Sequence, residues 1–285
     1  MKKVVSLVGA RPQLIKEAVV GAEVRRRGAW DHVLVHSGQH YDENMSGAFF
    51  DELDILPPQY NMGVGSTTHA EQTADAMCKF EKILLEEKPD MVILYGDTNT
   101  TLAGALTASK LHIPIARVEA GPRTYNRLFP EEINRVLTDH VSDLLFACTS
   151  LNVENLAKEG IVEGVFNAGD VMYDLYLKMT DRFTPEAEMD RFGLFPGGYI
   201  VATIHRDFNT DDKKALSSIL DGLNFAKEKN DLAVVLPLHP RTSDRIARFG
   251  LEKRLDRIIV TDPLSYLELM SLTRNARFVV TDSGG

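Results

Sequence analysis

The chain has only two cysteines in 285 residues. Cys78 and Cys148 lie far apart and outside any metal-ligand spacing, which excludes a disulfide framework and a cysteine-held zinc, and suits reduced thiols in a cytoplasmic protein. A basic excess is also lacking: 32 Lys and Arg stand against 41 Asp and Glu, for a net charge of -9. The positive footprint that a nucleic-acid backbone demands is therefore missing. The one dense basic run, Arg25-Arg26-Arg27, falls at the C-terminal end of a predicted helix, where positive charge suits the dipole. Long apolar runs are missing too. No stretch approaches the roughly 18 residues of a membrane span, and the apolar start, Val4 to Val8 after Lys2-Lys3, is too short for a secretion signal and reads as a buried first strand. Gly9-Ala-Arg-Pro-Gln-Leu-Ile-Lys16 has too few glycines for a dinucleotide fingerprint, which disfavours NAD. Neither His36 to His40 nor His205-Arg206-Asp207 supplies a helical i,i+4 pair with a third ligand, so no metal and no cofactor are expected.

What the chain does contain is alternation. Val4 to Val8, His32 to His36, Met91 to Tyr95, Ile113 to Val118 and Leu144 to Ala147 read as buried strands. Leu14 to Arg27, Ala70 to Glu87, Thr101 to Leu111 and Glu131 to Val141 read as helices between them. This order predicts a parallel sheet covered by helices on both faces. Gly169-Asp-Val-Met-Tyr-Asp-Leu leads into a further helix, and Thr184-Pro185 and Phe195-Pro-Gly-Gly198 punctuate a crossing. A second series follows: strands Tyr199 to Ile204, Ala233 to Leu236, Arg257 to Val260 and Phe278 to Thr281, with helices Asp211 to Lys229, Ser243 to Leu255 and Ser265 to Asn275. The prediction is an α/β protein with an N-terminal Rossmann-like domain over 1–170 and a partial C-terminal one over 171–285. Two such domains facing each other would leave a cleft. The ending, Thr281-Asp-Ser-Gly-Gly285, is a strand entering a glycine turn with no helix after it, and reads as a fragment of a longer chain with an incomplete second domain.

Candidate chemistry gathers where predicted strands end, the ligand edge of an open parallel sheet. Asp97 and Glu119 stand where apolar runs give way to polar, glycine-bearing turns. Asp97 could cap the helix near Thr101, and Glu131 could be a first-turn acid favoured by the dipole. Three carboxylates beside a cationic pocket are better read as proton carriers. Cations and histidines recur at the same edge: Arg11 and Lys16 after the first strand, Gln39 and His40 after the second, then Arg123, Arg135, His205, Arg206 and His239. An acidic protein that collects such groups in one place is suited to an anionic, phosphorylated ligand.

These blocks resemble the non-hydrolysing UDP-N-acetylglucosamine 2-epimerases. The matching segments are Gly-Ala-Arg-Pro-Gln (9 to 13) with Lys16, Ser-Gly-Gln-His (37 to 40), Lys-Pro-Asp (88 to 90), Gly-Asp-Thr-Asn-Thr-Thr (96 to 101), Val-Glu-Ala-Gly-Pro-Arg-Thr (118 to 124), Pro-Glu-Glu-Ile-Asn-Arg (130 to 135), His205-Arg206 and Thr-Asp-Ser-Gly-Gly (281 to 285). The resemblance implies a two-domain glycosyltransferase-B type fold and a homodimer. It also implies interconversion of UDP-N-acetylglucosamine and UDP-N-acetylmannosamine by elimination and re-addition of UDP, with no cofactor. Carried over by motif, Asp97, Glu119, Glu131 and His205 are catalytic. Arg11, Lys16, Arg135, Ser283, Gly284 and Gly285 match positions at the nucleotide sugar, and Leu264 and Leu269 the place that receives uracil.

The chain departs from the family pattern at Gln13, where Glu is common, and at Asp207-Phe208 after His205-Arg206. Gln13, Leu-Tyr-Gly-Asp-Thr-Asn (94 to 99) and Pro-Leu-His-Pro-Arg (237 to 241) resemble a branch that includes 2-epimerases of UDP-diacetamido-glucuronic acid. A hydrolysing epimerase, a glycosyltransferase of the same fold and an inactive binding domain are the alternatives. Because the segments that follow Ser-Gly-Gly in the family grip UDP, residues 1–285 alone are expected to bind UDP poorly and turn over slowly or not at all.

Overall fold

The computed structural model describes residues 1–38, 50–65 and 67–283. The chain divides into two compact units, Met1–Leu177 and Lys178–Gly285.

The first unit is built on seven parallel strands: β1 (Lys2–Val8), β2 (Trp30–His36), β3 (Tyr60–Asn61), β4 (Met91–Tyr95), β5 (Ile115–Ala120), β6 (Leu144–Ala147) and β7 (Val165–Asn167), in the order β3-β2-β1-β4-β5-β6-β7. Its helices are α1 (Arg11–Arg27), α2 (His69–Glu87), α3 (Asn99–Lys110), α4 (Pro130–His140), α5 (Ser150–Lys158) and α6 (Val171–Met179), the last reaching across the division between the units. The strand order reverses between β1 and β4, the switch point at which two βα turns diverge and leave a crevice.

The central strands are apolar on both faces, as burial beneath two helix layers requires. Val5, Leu7, Val92 and Leu94 are buried with Phe80 and Leu84 of α2 and Ala103, Ala105 and Ala108 of α3. Full burial of a Leu or Phe side chain contributes roughly 1.5–3 kcal/mol. Helix α3 is made of small residues for a steric reason: a Cβ on Gly104 would lie 2.7 Å from Leu7 and 2.8 Å from Leu94. The helix therefore rides close over β1 and β4.

The second unit has four parallel strands, β8 (Tyr199–Thr203), β9 (Ala233–Pro237), β10 (Ile259–Thr261) and β11 (Phe278–Thr281), in the order β10-β9-β8-β11. Between and around them run α7 (Pro185–Phe192), α8 (Asp207–Thr210), α9 (Lys213–Asn230), α10 (Pro240–Phe249) and α11 (Tyr266–Asn275). Its switch point lies between β8 and β11. The start of α11 is a capping box, with the Ser265 hydroxyl accepting from Glu268 N and the Glu268 carboxylate accepting from Ser265 N.

Several boundaries differ from the sequence expectation for local reasons. Helix α1 begins at Arg11 rather than Leu14, because Pro12 is accommodated in a first turn that needs no N–H there. Strand β5 begins after Pro114 and runs on to Ala120. The expected helix Ser243 to Leu255 is split: α10 starts at Pro240 and ends at Phe249, and a separate turn of 3-10 helix covers Glu252–Leu255. Strands β3 and β7 and helix α5 were not anticipated, being too short or too polar to show a period.

Candidate active site

At the first unit's switch point, Gly9 and Ala10 turn the chain from β1 into α1. Arg11 is exposed at the start of that helix, and Lys16, one turn further on, is buried. The Lys16 ammonium meets Glu119 Oε2 at 2.5 Å. Glu119 reaches it through an uncommon backbone. Its φ is +68° and the β5–β6 register shifts between Val118 and Ala120, so a bulge at the strand end re-aims the carboxylate. A left-handed conformation at a non-glycine residue costs of order 1–3 kcal/mol and recurs at functional positions. The following turn is equally constrained: Gly121 has φ +86°, and a Cβ there would sit 2.4 Å from the Asn152 carbonyl oxygen of α5.

One strand over, Asp97 follows β4. The alternative that it caps the next helix is not the arrangement found. Thr98 is the N-cap of α3, its hydroxyl accepting from Thr101 N, and the Asp97 carboxylate instead holds Arg135 of α4. Asp97 Oδ2 accepts from Arg135 Nη2 at 2.5 Å and from Nε at 2.9 Å, with the carboxylate 30% and the guanidinium 17% exposed. Asn134 Nδ2 donates to the Asp97 carbonyl at 2.9 Å. Glu132 completes the set, accepting from Arg135 Nη1 at 3.2 Å and from the N–H groups of Thr124 and Tyr125 at 3.0 and 2.8 Å. Burial alone would raise the Glu132 carboxyl, but those backbone and Arg135 hydrogen bonds outweigh it and leave its pKa below the ordinary Glu value. Glu131, half-buried, lies in the first turn of α4.

Arg123 is placed otherwise than the sequence suggested. Its guanidinium is fully buried, donating to both Glu159 oxygens at 2.7 and 2.8 Å and to Asp139 at 2.8 Å, and it anchors the turn after Glu119 from within the protein. A motif scan records a cation after a strand, not the two acids that α4 and α5 bring to it.

In the second unit, His205 and Arg206 are exposed after β8, immediately before α8. Asp282, after β11, accepts from His205 N at 2.9 Å, Arg206 N at 3.0 Å and Asn209 Nδ2 at 2.9 Å. Ser283 N donates to Thr281 Oγ1 at 3.0 Å. His239 caps α10, its Nδ1 accepting from Arg241 N at 3.3 Å. Leu264 and Leu269 are half-buried and pack beside Tyr199, Val201 and Leu272. Gln39, His40, Gly284 and Gly285 lie outside the described residues. Among the described residues, no three His, Cys, Asp or Glu side chains gather as a metal-binding group, and no helix is long and apolar enough to cross a membrane.

Four contributors escaped sequence reasoning: Gln13 as a contact-making residue, Glu132, Asn134 and Asp282. All four sit inside segments already singled out, and the Glu132–Arg135 i,i+3 spacing was a usable signal.

The comparisons with known proteins decide the family. The model of UDP-N-acetylglucosamine 2-epimerase matches residues 22–285. The chain belongs to that family. A UDP-N-acetylglucosamine 2-epimerase homolog of Methanococcus maripaludis is 46% identical over 99% of this chain and 79% of the relative. The UDP-2,3-diacetamido-2,3-dideoxy-D-glucuronate 2-epimerase of Pseudomonas aeruginosa is 45% identical over 99% of this chain and 78% of its own. In structure the chain is similar to the Methanocaldococcus jannaschii UDP-GlcNAc 2-epimerase solved with UDP-GlcNAc and UDP, with a TM-score of 0.89 and 41% identity over 99% of this chain and 79% of that one. This 2-epimerase family member is accordingly an isomerase built from two Rossmann-like units of the glycosyltransferase-B type, and its chemistry is inversion at C2.

Proposed function

We propose that the substrate is a UDP-N-acetylated hexose, UDP-N-acetylglucosamine interconverting with UDP-N-acetylmannosamine, by elimination of UDP to a 2-acetamidoglucal and its re-addition. The observation that carries this reading is a pair of carboxylates at adjacent strand ends, each held by a cation: Glu119 on Lys16 and Asp97 on Arg135. A sugar C2 proton is barely acidic, so it leaves only to a close base while the C1–O bond breaks. In the elimination the C–H electron pair becomes the C1=C2 double bond and the C1–O pair departs with UDP. Re-addition delivers a proton to the opposite face of C2 as a UDP oxygen rejoins C1. Two faces need at least two acid/base groups, and Asp97, Glu119 and Glu131 are the proton carriers proposed, with His205 as the fourth catalytic residue.

Arg11, Lys16 and Arg135 are proposed to take the diphosphate. Stabilising the departing charge with one such donor contributes roughly 3 kcal/mol. A diphosphate drawn to Lys16 competes with Glu119 for the same ammonium, which couples leaving-group binding to release of the base. Arg206 and Ser283 are further candidates for the nucleotide sugar, and Leu264 with Leu269 for the uracil. We also propose a homodimer, supported by an apolar surface at the start and outer face of α4, where Leu128 is 89% exposed and Ile133 and Leu137 44% each; ultracentrifugation giving a monomer would remove it.

The decisive experiment is NMR product analysis with UDP-N-acetylglucosamine in deuterated water. Deuterium at C2 with UDP still attached is expected. Free sugar would mean a hydrolysing epimerase, and turnover only when an acceptor is supplied would mean a glycosyltransferase. The Pseudomonas relative favours UDP-2,3-diacetamido-glucuronic acid as the second reading, and relative kcat/KM on the two nucleotides separates them.

A further inference from the structure

The left-handed bulge at Glu119 is gripped from inside the protein by two charged residues. Arg117, two positions earlier on β5, and Asp139, near the end of α4, are each 1% exposed. Arg117 Nη1 donates at 2.9 Å to the Val118 carbonyl, which belongs to the peptide leading into Glu119. Asp139 Oδ2 accepts from Gly121 N at 3.1 Å and from Arg123 Nη1 at 2.8 Å, on the far side of the bulge. Its Oδ1 lies 3.4 Å from Arg117 Nε, and among the described residues neither of these two atoms has a hydrogen-bond partner. One carboxylate therefore ties together the chain before and after Glu119. Asn155 Nδ2 of α5 closes the same turn on the Gly121 carbonyl at 3.1 Å.

Stability alone does not account for such a pair. Two charges taken out of water return little net stability, and neutral groups of similar volume commonly do as well. What the pair supplies is geometry. Glu119 has φ +68°, a conformation that persists at a non-glycine residue only where its surroundings over-determine it. We propose that Arg117 and Asp139 are positioning residues: they lock the bulge that aims the Glu119 carboxylate at Lys16, and neither touches the substrate. The role of Glu119 as a proton carrier rests on the epimerase reading above; the lock on its backbone does not.

The test removes both charges together, as Arg117→Met with Asp139→Asn, which leaves Arg123 balanced by Glu159 and strands no buried charge. This double variant should melt close to wild type, yet its kcat for C2 deuterium incorporation should fall tenfold or more. KM should stay within threefold or drop, because Lys16 is left free for the diphosphate. In a Glu119→Gln background the same pair of changes should cost less than twofold, since the group being aimed is already disabled. Wild-type kcat in the double variant, or an equal loss in both backgrounds, overturns the proposal. Should the double variant fail to fold, Arg117→Lys decides: it keeps the charge beside Asp139 but lacks the forked reach to the Val118 carbonyl, and unchanged kcat overturns the lock. Should wild type itself incorporate no deuterium, the epimerase reading fails, and a crystal structure of the double variant judges the lock by itself. Glu119 is expected to leave the left-handed region and Lys16, and a carboxylate still in place on Lys16 overturns the proposal.

Discussion

The two switch points solve one problem with different groups. In the first unit a neutral amide, Gln13, ties the turn after β1 to the end of β4. In the second a carboxylate, Asp282, ties the turn after β8 to the end of β11. The partners explain the choice. Asp282 meets only donors, from His205 N, Arg206 N and Asn209 Nδ2, so an acceptor-only group is satisfied. Gln13 meets donors at one end and a carbonyl with two hydroxyls at the other, and its amide serves both. The first edge is therefore held without a charge of its own, while the second depends on ionisation.

The comparison is broken most severely by catalysis. If the charged acids of the first edge carry the chemistry over an uncharged clip, Glu119→Gln should lower the rate of C2 deuterium incorporation by roughly 10²–10⁴-fold, with the circular dichroism spectrum unchanged. Retained turnover would reduce Glu119 to a structural ion pair with Lys16.

The next effect comes from beneath the first edge. Glu17 is fully buried, accepting from the Tyr95 hydroxyl at 2.7 Å and lying 3.4 Å from His32 Nε2, which sits 2.9 Å from the Ser6 hydroxyl. Burial pushes the Glu17 carboxyl up to about 7, and burial with Arg25 nearby pushes His32 down to about 4. The signs then follow. The Glu17 contribution is complete below the ordinary Glu value of 4.5 and is lost as pH rises through about 7. The His32 contribution is complete above 6.5 and is lost as pH falls through about 4. The two trends offset each other between pH 4.5 and 6.5, so the effect is read against Glu17→Gln: the urea-unfolding stability of wild type relative to that variant should fall by about 3 kcal/mol between pH 4.5 and 8. Glu17→Gln should flatten the alkaline side.

Smaller again is Asp282→Ala, which strands three donors and should cost about 1–3 kcal/mol in the second unit, read by denaturant titration. No loss would make the carboxylate clip dispensable. The smallest effect separates the two clips by pH alone. Burial would raise the Asp282 carboxyl, but the hydrogen bonds from Asn209 and the Arg206 and His205 N–H groups outweigh it and hold its pKa below the ordinary 3.8. Its contribution is thus present above 3.8 and lost as pH falls through the lower folded value. Hydrogen exchange at His205 and Arg206 should quicken in that acid range relative to Gly9 and Ala10, whose acceptor does not titrate.

The sequence by itself determined the alternation of strands and helices, the two parallel sheets and the placing of Asp97 and Glu119 at strand ends. Each of these is local: burial on both faces of a strand, small and polar turn residues, and a helix start marked by Pro130 are written within a few positions of where they act. Tertiary structure decided who meets whom. The left-handed bulge that turns Glu119 toward Lys16, the Arg135 grip on Asp97, the burial of Arg123 between Asp139 and Glu159, and the Gln13 bridge to Tyr95 all join residues distant in the chain. They exist because β4 lies beside both β1 and β5 in the sheet, and that adjacency follows from packing the sheet's faces, which no short motif records.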